Sequence, residues 1–134
     1  MRVHISRCVV ELIQRAAAEA EPREACGLLF GEDGAIEAAS IEVNVAGNPL
    51  IHFEVDPAAL FAAIRAERAG GRVLAGYWHS HPSGDATPSA TDAAMAAPDG
   101  RLWLIVASGT VTAWQAVANG SHHGRFAPLA LHTD

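Results

Sequence analysis

The stretch Gly76-Tyr-Trp-His-Ser-His-Pro-Ser-Gly-Asp-Ala-Thr-Pro-Ser-Ala-Thr-Asp92 constrains the fold more than any other part of the chain. Before it, Arg72 to Trp78 reads as a central strand. That strand delivers His79 and His81. Residues two apart on an extended segment point to the same side, so the two imidazoles can converge on one ion. Pro82 stops the strand and turns the chain. Thr87-Pro88 then begins a short helix carrying Ser89 and Asp92, three residues apart and so on one face. A strand that hands converging imidazoles to a helix-borne carboxylate calls for an α/β arrangement with a cleft at the strand's end.

The rest of the chain fits that frame. Ser6 can cap a first helix. Cys8, Leu12, Ala16 and Ala20 form its stripe, with Val9, Ile13 and Ala17 beside it, and it ends before Pro22. Ala25 to Phe30 is a short buried strand that stops at the Gly31-Glu-Asp-Gly34 turn. Ala35 to Val45 alternates as a partner strand, with Ile36, Ile41, Val43 and Val45 as its apolar members. Ile51 to Val55 is a further strand candidate. Asp56-Pro57 starts a helix whose buried face is Leu60, Phe61 and Ile64, and Gly70-Gly71 ends it. Leu102 to Ala107 and Thr110 to Val117 make a hairpin around Ser108-Gly109. Phe126 to Leu131 adds an edge strand. The pattern predicts one α/β domain over residues 1–134, a mixed β-sheet flanked by helices.

Composition narrows the function. With 134 residues, half of them apolar, the chain can bury a full core without disulfides. A net charge of −6 argues against a nucleic-acid partner, which would call for a basic face. Two cysteines, Cys8 and Cys26, are too few for a disulfide scaffold and suit a reducing cytoplasm. Neither a signal peptide nor a membrane-crossing apolar run is legible, so a cytoplasmic location with no membrane partner is expected.

Two imidazoles and one carboxylate, His79, His81 and Asp92, form a catalytic zinc set with the fourth position left for water. Such an ion lowers the pKa of bound water to about 7. The water also needs a proton carrier, and a carboxylate serves best. Glu24, just before the buried strand, is the candidate; by spacing, Glu11, Glu54 and Glu67 compete with it. Ser89 is a poor ligand as a neutral hydroxyl, and its task is to donate a hydrogen bond to the oxyanion of a tetrahedral intermediate.

His79-Ser-His81, seven residues, Ser89, two residues and Asp92 resembles the JAMM motif of MPN-domain metallopeptidases. Glu24-Ala-Cys-Gly-Leu-Leu-Phe-Gly31 is similar to the segment that supplies the catalytic glutamate in small prokaryotic members. Phe53-Glu-Val-Asp-Pro57 looks like the family's strand-to-helix junction. The resemblance implies a cytidine-deaminase-like fold and one zinc ion per chain, held by His79, His81 and Asp92. It implies Glu24 as general base and Ser89 as oxyanion helper. The implied reaction is hydrolysis of the amide or isopeptide bond after the C-terminal Gly-Gly of a ubiquitin-like or sulfur-carrier protein. Asp92 leads through Ala-Ala-Met-Ala-Ala-Pro-Asp-Gly100 straight to the next strand, leaving no room for a large platform gripping a second ubiquitin. A small carrier is therefore the expected partner.

Two other readings compete. A non-catalytic MPN-type module would bind a ubiquitin-like partner without cutting it, and the complete ligand set argues against that. The same motif also resembles the RadC branch linked to DNA repair, against which stand the acidic charge and the lack of an extra N-terminal helical DNA-binding module. Cys26 lies in an apolar run and reads as a small core thiol. His4, His52, His122, His123 and His132 show no ligand spacing with a carboxylate, and they read as surface residues. Trp78 and Tyr77 read as core or cleft wall.

Overall fold

The computed structural model describes residues 2–134. Its elements run β1 (Arg2–Ile5), α1 (Arg7–Ala20), β2 (Cys26–Phe30), β3 (Ala35–Ile36), β4 (Ala38–Ala39), α2 (Pro57–Arg68), β5 (Leu74–Ser80), α3 (Ala90–Met95), β6 (Leu102–Ala107), β7 (Thr110–Gly120) and β8 (Gly124–Thr133). One mixed sheet of eight strands is ordered β3-β1-β8-β7-β6-β5-β2-β4. Alternation along the strands divides the core in two. Trp78, Leu102, Leu104 and Val106 face α1 with Val9, Ile13, Ala16 and Ala17. Trp103, Ile105, Trp114 and Phe126 face the other side, where Leu60, Ile64 and Ala93 bring in α2 and α3. The expected mixed sheet flanked by helices is present.

α1 begins where Ser6 accepts the Val9 N–H at 3.3 Å. Its buried stripe is centred on Val9, Ile13, Ala16 and Ala17, so Cys8 falls outside it and is exposed. In α2, Asp56 caps and Pro57 opens the helix as expected. Leu60 and Ile64 pack on the sheet, but Phe61 is 58 % exposed. One residue past Leu60 is a 100° rotation, which carries Phe61 off the sheet-facing stripe. The β6–β7 hairpin turns at Ser108 and Gly109, both with positive φ, as a two-residue primed turn requires.

Three of the expected strands differ as well. Ala35–Val45 is not one strand: β3 pairs with β1, β4 pairs with β2, and the chain changes partner at Glu37. Beyond β4 only single bridges at Glu42 and Asn44 continue the pairing, and Ile41, Val43 and Val45 face solvent. Ile51–Val55 likewise keeps a single bridge, at Val55, although Phe53 and Val55 are buried. The C-terminal strand is not an edge: β8 lies between β7 and β1, parallel to β1. The sequence reading assigns no element to Arg2–Ile5, where two apolar residues, Val3 and Ile5, are too few to mark a period.

β5 and β6 are parallel neighbours joined by a crossover that contains α3. In α/β units the cleft lies beyond the carboxyl ends of such strands. His79 and His81 sit there.

Candidate metal centre

β5 places Tyr77, His79 and His81 toward the α2–α3 side. His79 is fully buried, with its ring face to face with Phe53 at 4.2 Å and edge-on to Trp103 at 5.8 Å. His79 Nε2 and His81 Nε2 lie 3.0 Å apart, and each is 3.1 Å from Asp92 Oδ2. A tetrahedral ion with bonds of about 2.0–2.1 Å holds its ligand atoms about 3.3 Å apart. The triangle therefore has the size and donor set for such an ion.

Asp92 is delivered by a cap rather than by a shared helix face. Ser89 lies one residue before α3, as its N-cap, where the sequence reading puts it on the helix. Its Oγ accepts the Asp92 N–H at 3.0 Å, and its own N–H donates to Asp92 Oδ2 at 3.0 Å. This reciprocal capping box fixes the carboxylate's rotation. Because Ser89 Oγ accepts from the backbone, its hydroxyl proton stays free to donate into the cleft.

Glu24 reaches the same centre from β2. Cys26 pairs with His79 in register, so the residue two before Cys26 meets the end of β5. The Glu24 carboxylate comes within 4.8 Å of the ligand nitrogens of both histidines. The residue is only 6 % exposed, and its Oε1 has no hydrogen-bond partner among the described residues. Glu11, Glu54 and Glu67, its competitors by spacing, have no place in this cluster. Glu67 instead accepts the Leu74 N–H.

Two residues that sequence reasoning missed hold Glu24. Ser80, between the histidines and facing the opposite way, accepts the Ala25 N–H through Oγ at 2.8 Å and donates its own N–H to the Ala25 carbonyl. Asn44 Nδ2 donates to the carbonyls of Glu24 and His52, while its Oδ1 accepts from Ala46 and Glu54. The signal for Ser80 was a hydroxyl at a core-facing strand position. Asn44 carries no signal beyond standing in the polar phase of an alternating run, with Ser40 and Glu42.

Electrostatics separates the two carboxyls. Burial alone would raise Asp92, but hydrogen bonds from His79 and His81 outweigh it and hold Asp92 far below the usual carboxylate range. Burial pushes Glu24 up from 4.5 to about 7, opposed by His81 and assisted by the Asp92 charge. Burial lowers His79. In His81 burial is overcome by the Asp92 and Asp85 hydrogen bonds, so its pKa rises. Burial also pushes the Cys26 thiol up to about 12, which makes it a core group rather than a nucleophile.

A cleft of about 160 Å³ opens beside the centre, lined by Glu24, Leu50, Ile51, His81, Ser89 and neighbours. A more apolar cleft of about 200 Å³ lies on the far side of Phe53, walled by Tyr77, Met95 and Trp103. Glu24 and His81 both line the first. Of the remaining histidines, His4 and His132 are exposed cross-strand neighbours, His122 packs on Trp114, and His123 reaches the Pro88 carbonyl.

Comparison with known proteins follows the same lines. A family model described as prokaryotic homologs of the JAB domain matches residues 6–117. The chain is 37% identical over 94 residues to the desampylase of Haloferax volcanii, covering 69% of this chain and 68% of that protein. It is 32% identical over 90 residues to a probable TtuB-protein conjugate cleaving protease of Thermus thermophilus, covering 67% of this chain and 60% of that one. A solution structure of a protein from Desulfitobacterium hafniense superposes with a TM-score of 0.83 at 26% identity, covering 100% and 93% of the two chains. A JAB1/MPN domain protein from Archaeoglobus fulgidus, at 20% identity, shares the fold with a TM-score of 0.60 over 97% and 96%.

Proposed function

The chain belongs to the family of prokaryotic homologs of the JAB domain, and from that premise we propose that it is a zinc-dependent peptidase or isopeptidase. Its substrate is the amide bond after the C-terminal Gly-Gly of a small ubiquitin-like or sulfur-carrier protein. The name of the Thermus relative describes cleavage of a protein conjugate, which supports that substrate class. One observation carries the reading: Asp92 Oδ2 lies 3.1 Å from both imidazole Nε2 atoms, while Glu24, buried in the same cluster, leaves Oε1 without a partner among the described residues; the imidazoles hold the Asp92 pKa low and burial raises that of Glu24 to about 7. A ligand must stay ionised, and a proton carrier must titrate near the working pH.

His79, His81 and Asp92 would hold the zinc, which when bound supplies a lowered water pKa and polarises the scissile carbonyl. Glu24 takes the proton of the attacking water at its unpartnered Oε1 and returns it to the leaving amine nitrogen. The Ser89 hydroxyl donates to the oxyanion that develops on the substrate carbonyl. Burial of His79, Asp92 and Glu24 strengthens each of these interactions by excluding water. The cleft is small beside typical ligand sites of about 300–1,000 Å³ and suits a tail without side chains. Exposed Leu50 and Ile51 at its mouth offer apolar surface to the body of the carrier. Only residues 96–101 separate α3 from β6, which leaves recognition to the cleft side.

The test uses a ubiquitin-fold carrier ending in Gly-Gly, fused to a reporter and followed by mass spectrometry. The unaltered protein should carry close to one zinc per chain and cut after the second glycine. Glu24→Gln should keep the zinc and lose about 10²–10⁴-fold in kcat, the range of a general acid–base contribution. Full activity in Glu24→Gln would remove the proton-carrier role. Tight carrier binding without cleavage in the zinc-loaded protein would favour a binding module.

A further inference from the structure

The two candidate zinc-binding imidazoles are held by different means. His79 is oriented by packing against Phe53 and Trp103, and its Nδ1 has no partner among the described residues. His81 is held at its far nitrogen by a hydrogen bond, from Nδ1 to the Asp85 carbonyl at 2.7 Å. A carbonyl only accepts, so Nδ1 carries a proton, and in the neutral ring, the form that can bind a metal, the lone pair is left on Nε2, the atom facing Asp92. Competence of His81 thus depends on where one loop carbonyl points.

That loop, residues 82–89, is exposed at Ser83, Gly84, Asp85 and Thr87. It is tied down from outside the metal cluster. Thr112 on β7 donates its hydroxyl to the Ala86 carbonyl at 2.7 Å. The direction is forced: Trp114 Nε1–H, a donor only, occupies the same Oγ1 at 2.9 Å and leaves the hydroxyl proton for Ala86. His123, in the β7–β8 turn with φ 55°, donates Nε2–H to the Pro88 carbonyl at 3.1 Å. Pro88 directly precedes Ser89, whose capping box rotates Asp92 into place. The carbonyls of Asp85, Ala86 and Pro88 are therefore gripped by side chains from three separate places: His81, Thr112 and His123.

We infer that Thr112 and His123 are positioning residues of the metal centre, clamping the 82–89 loop so that Asp85 sets the His81 tautomer and Ser89 presents Asp92. This rests on the zinc reading above, and its test keeps the two separable. Thr112→Val keeps the shape and removes the donor, whereas Thr112→Ser keeps the donor. His123→Phe and His123→Gln form a second such pair. Imidazole nitrogen shifts of the metal-free protein, taken at alkaline pH where the ring is neutral, report the His81 tautomer, and competition with a chromophoric chelator reports zinc affinity.

Thr112→Val should shift His81 toward the Nε2–H form and weaken zinc about 10-fold, the low end of what losing a direct partner of a metal ligand costs, because Thr112 acts through the loop. His123→Phe should weaken zinc about 10-fold. The Ser and Gln variants should stay close to the unaltered protein. If Thr112→Val does not fold, the His123 pair decides. Unchanged tautomer and zinc affinity in Thr112→Val and His123→Phe, with only a lower melting temperature, would overturn the clamp. An unaltered protein that binds no zinc would sink the metal reading, and the tautomer shift would then decide the clamp alone.

Discussion

Burial makes Glu24 costly to the fold. Its Oε1 is buried without a partner, and desolvation carries its pKa from 4.5 to about 7. Below 4.5 the folded and unfolded chains both keep the proton. Between 4.5 and about 7 the unfolded chain releases it and the folded one does not, so stability of the metal-free protein falls as pH rises, and the loss is complete above about 7. Glu24→Gln abolishes this titration. The melting temperature of metal-free Glu24→Gln should therefore exceed that of the unaltered protein by a margin that grows across this window and then levels off. Calorimetry on the two proteins reads it, and parallel curves would show that Glu24 does not titrate as its burial demands. Asp92 acts with the opposite sign: its depressed pKa contributes stability at neutral pH that is lost in acid.

Elements bring together what single residues do not announce. The segment 41–55 makes no ladder, yet it holds the back of Glu24 through Asn44 and through the Glu24 N–H, which donates to the Pro49 carbonyl at 2.8 Å. Asn44→Ala would strip partners from four backbone groups. An unsatisfied buried group costs about 1–3 kcal/mol, and the outer ones here regain water, so a loss of about 2 kcal/mol is expected in urea unfolding. The turnover number should fall while zinc content holds; an unchanged turnover number at reduced stability would make Asn44 a purely structural tie. The same segment marks where sequence reading stopped. Ile41, Val43 and Val45 alternate as a buried strand face would, but Glu42 and Asn44 take the protein side because Asn44 satisfies its own hydrogen bonds there. Alternation states a period and not which phase faces inward. His79, His81 and Asp92 were legible because one strand end and one helix start bring them together locally. Glu24 needed the β2–β5 register, and Ser80, Thr112 and His123 act through partners 26 to 55 residues away, which no local pattern encodes.

At the scale of the molecule, the centre joins segments that leave the sheet at one end: the approach to β2, the end of β5 and the start of α3. A bound ion would tie the end of β5 to the start of α3, so zinc should stabilise the fold as a whole. The pH dependence of that stabilisation is set by His81. His79 is kept neutral by burial and Asp92 is kept ionised by its hydrogen bonds, so neither offers protons much competition with the metal. His81 has its pKa raised above 6.5, and a proton on Nε2 excludes a metal there. Once pH falls below that raised value, apparent zinc affinity should drop about tenfold per unit for the one proton displaced, which removes about 1.4 kcal/mol of linked stability each time. Calorimetry at fixed free zinc should therefore find the zinc-induced rise in melting temperature largest at pH 8 and clearly smaller at pH 6. Equal rises at both would mean that the ion does not bind through His81 Nε2. A rise that survives His81→Ala would place the metal elsewhere on the chain.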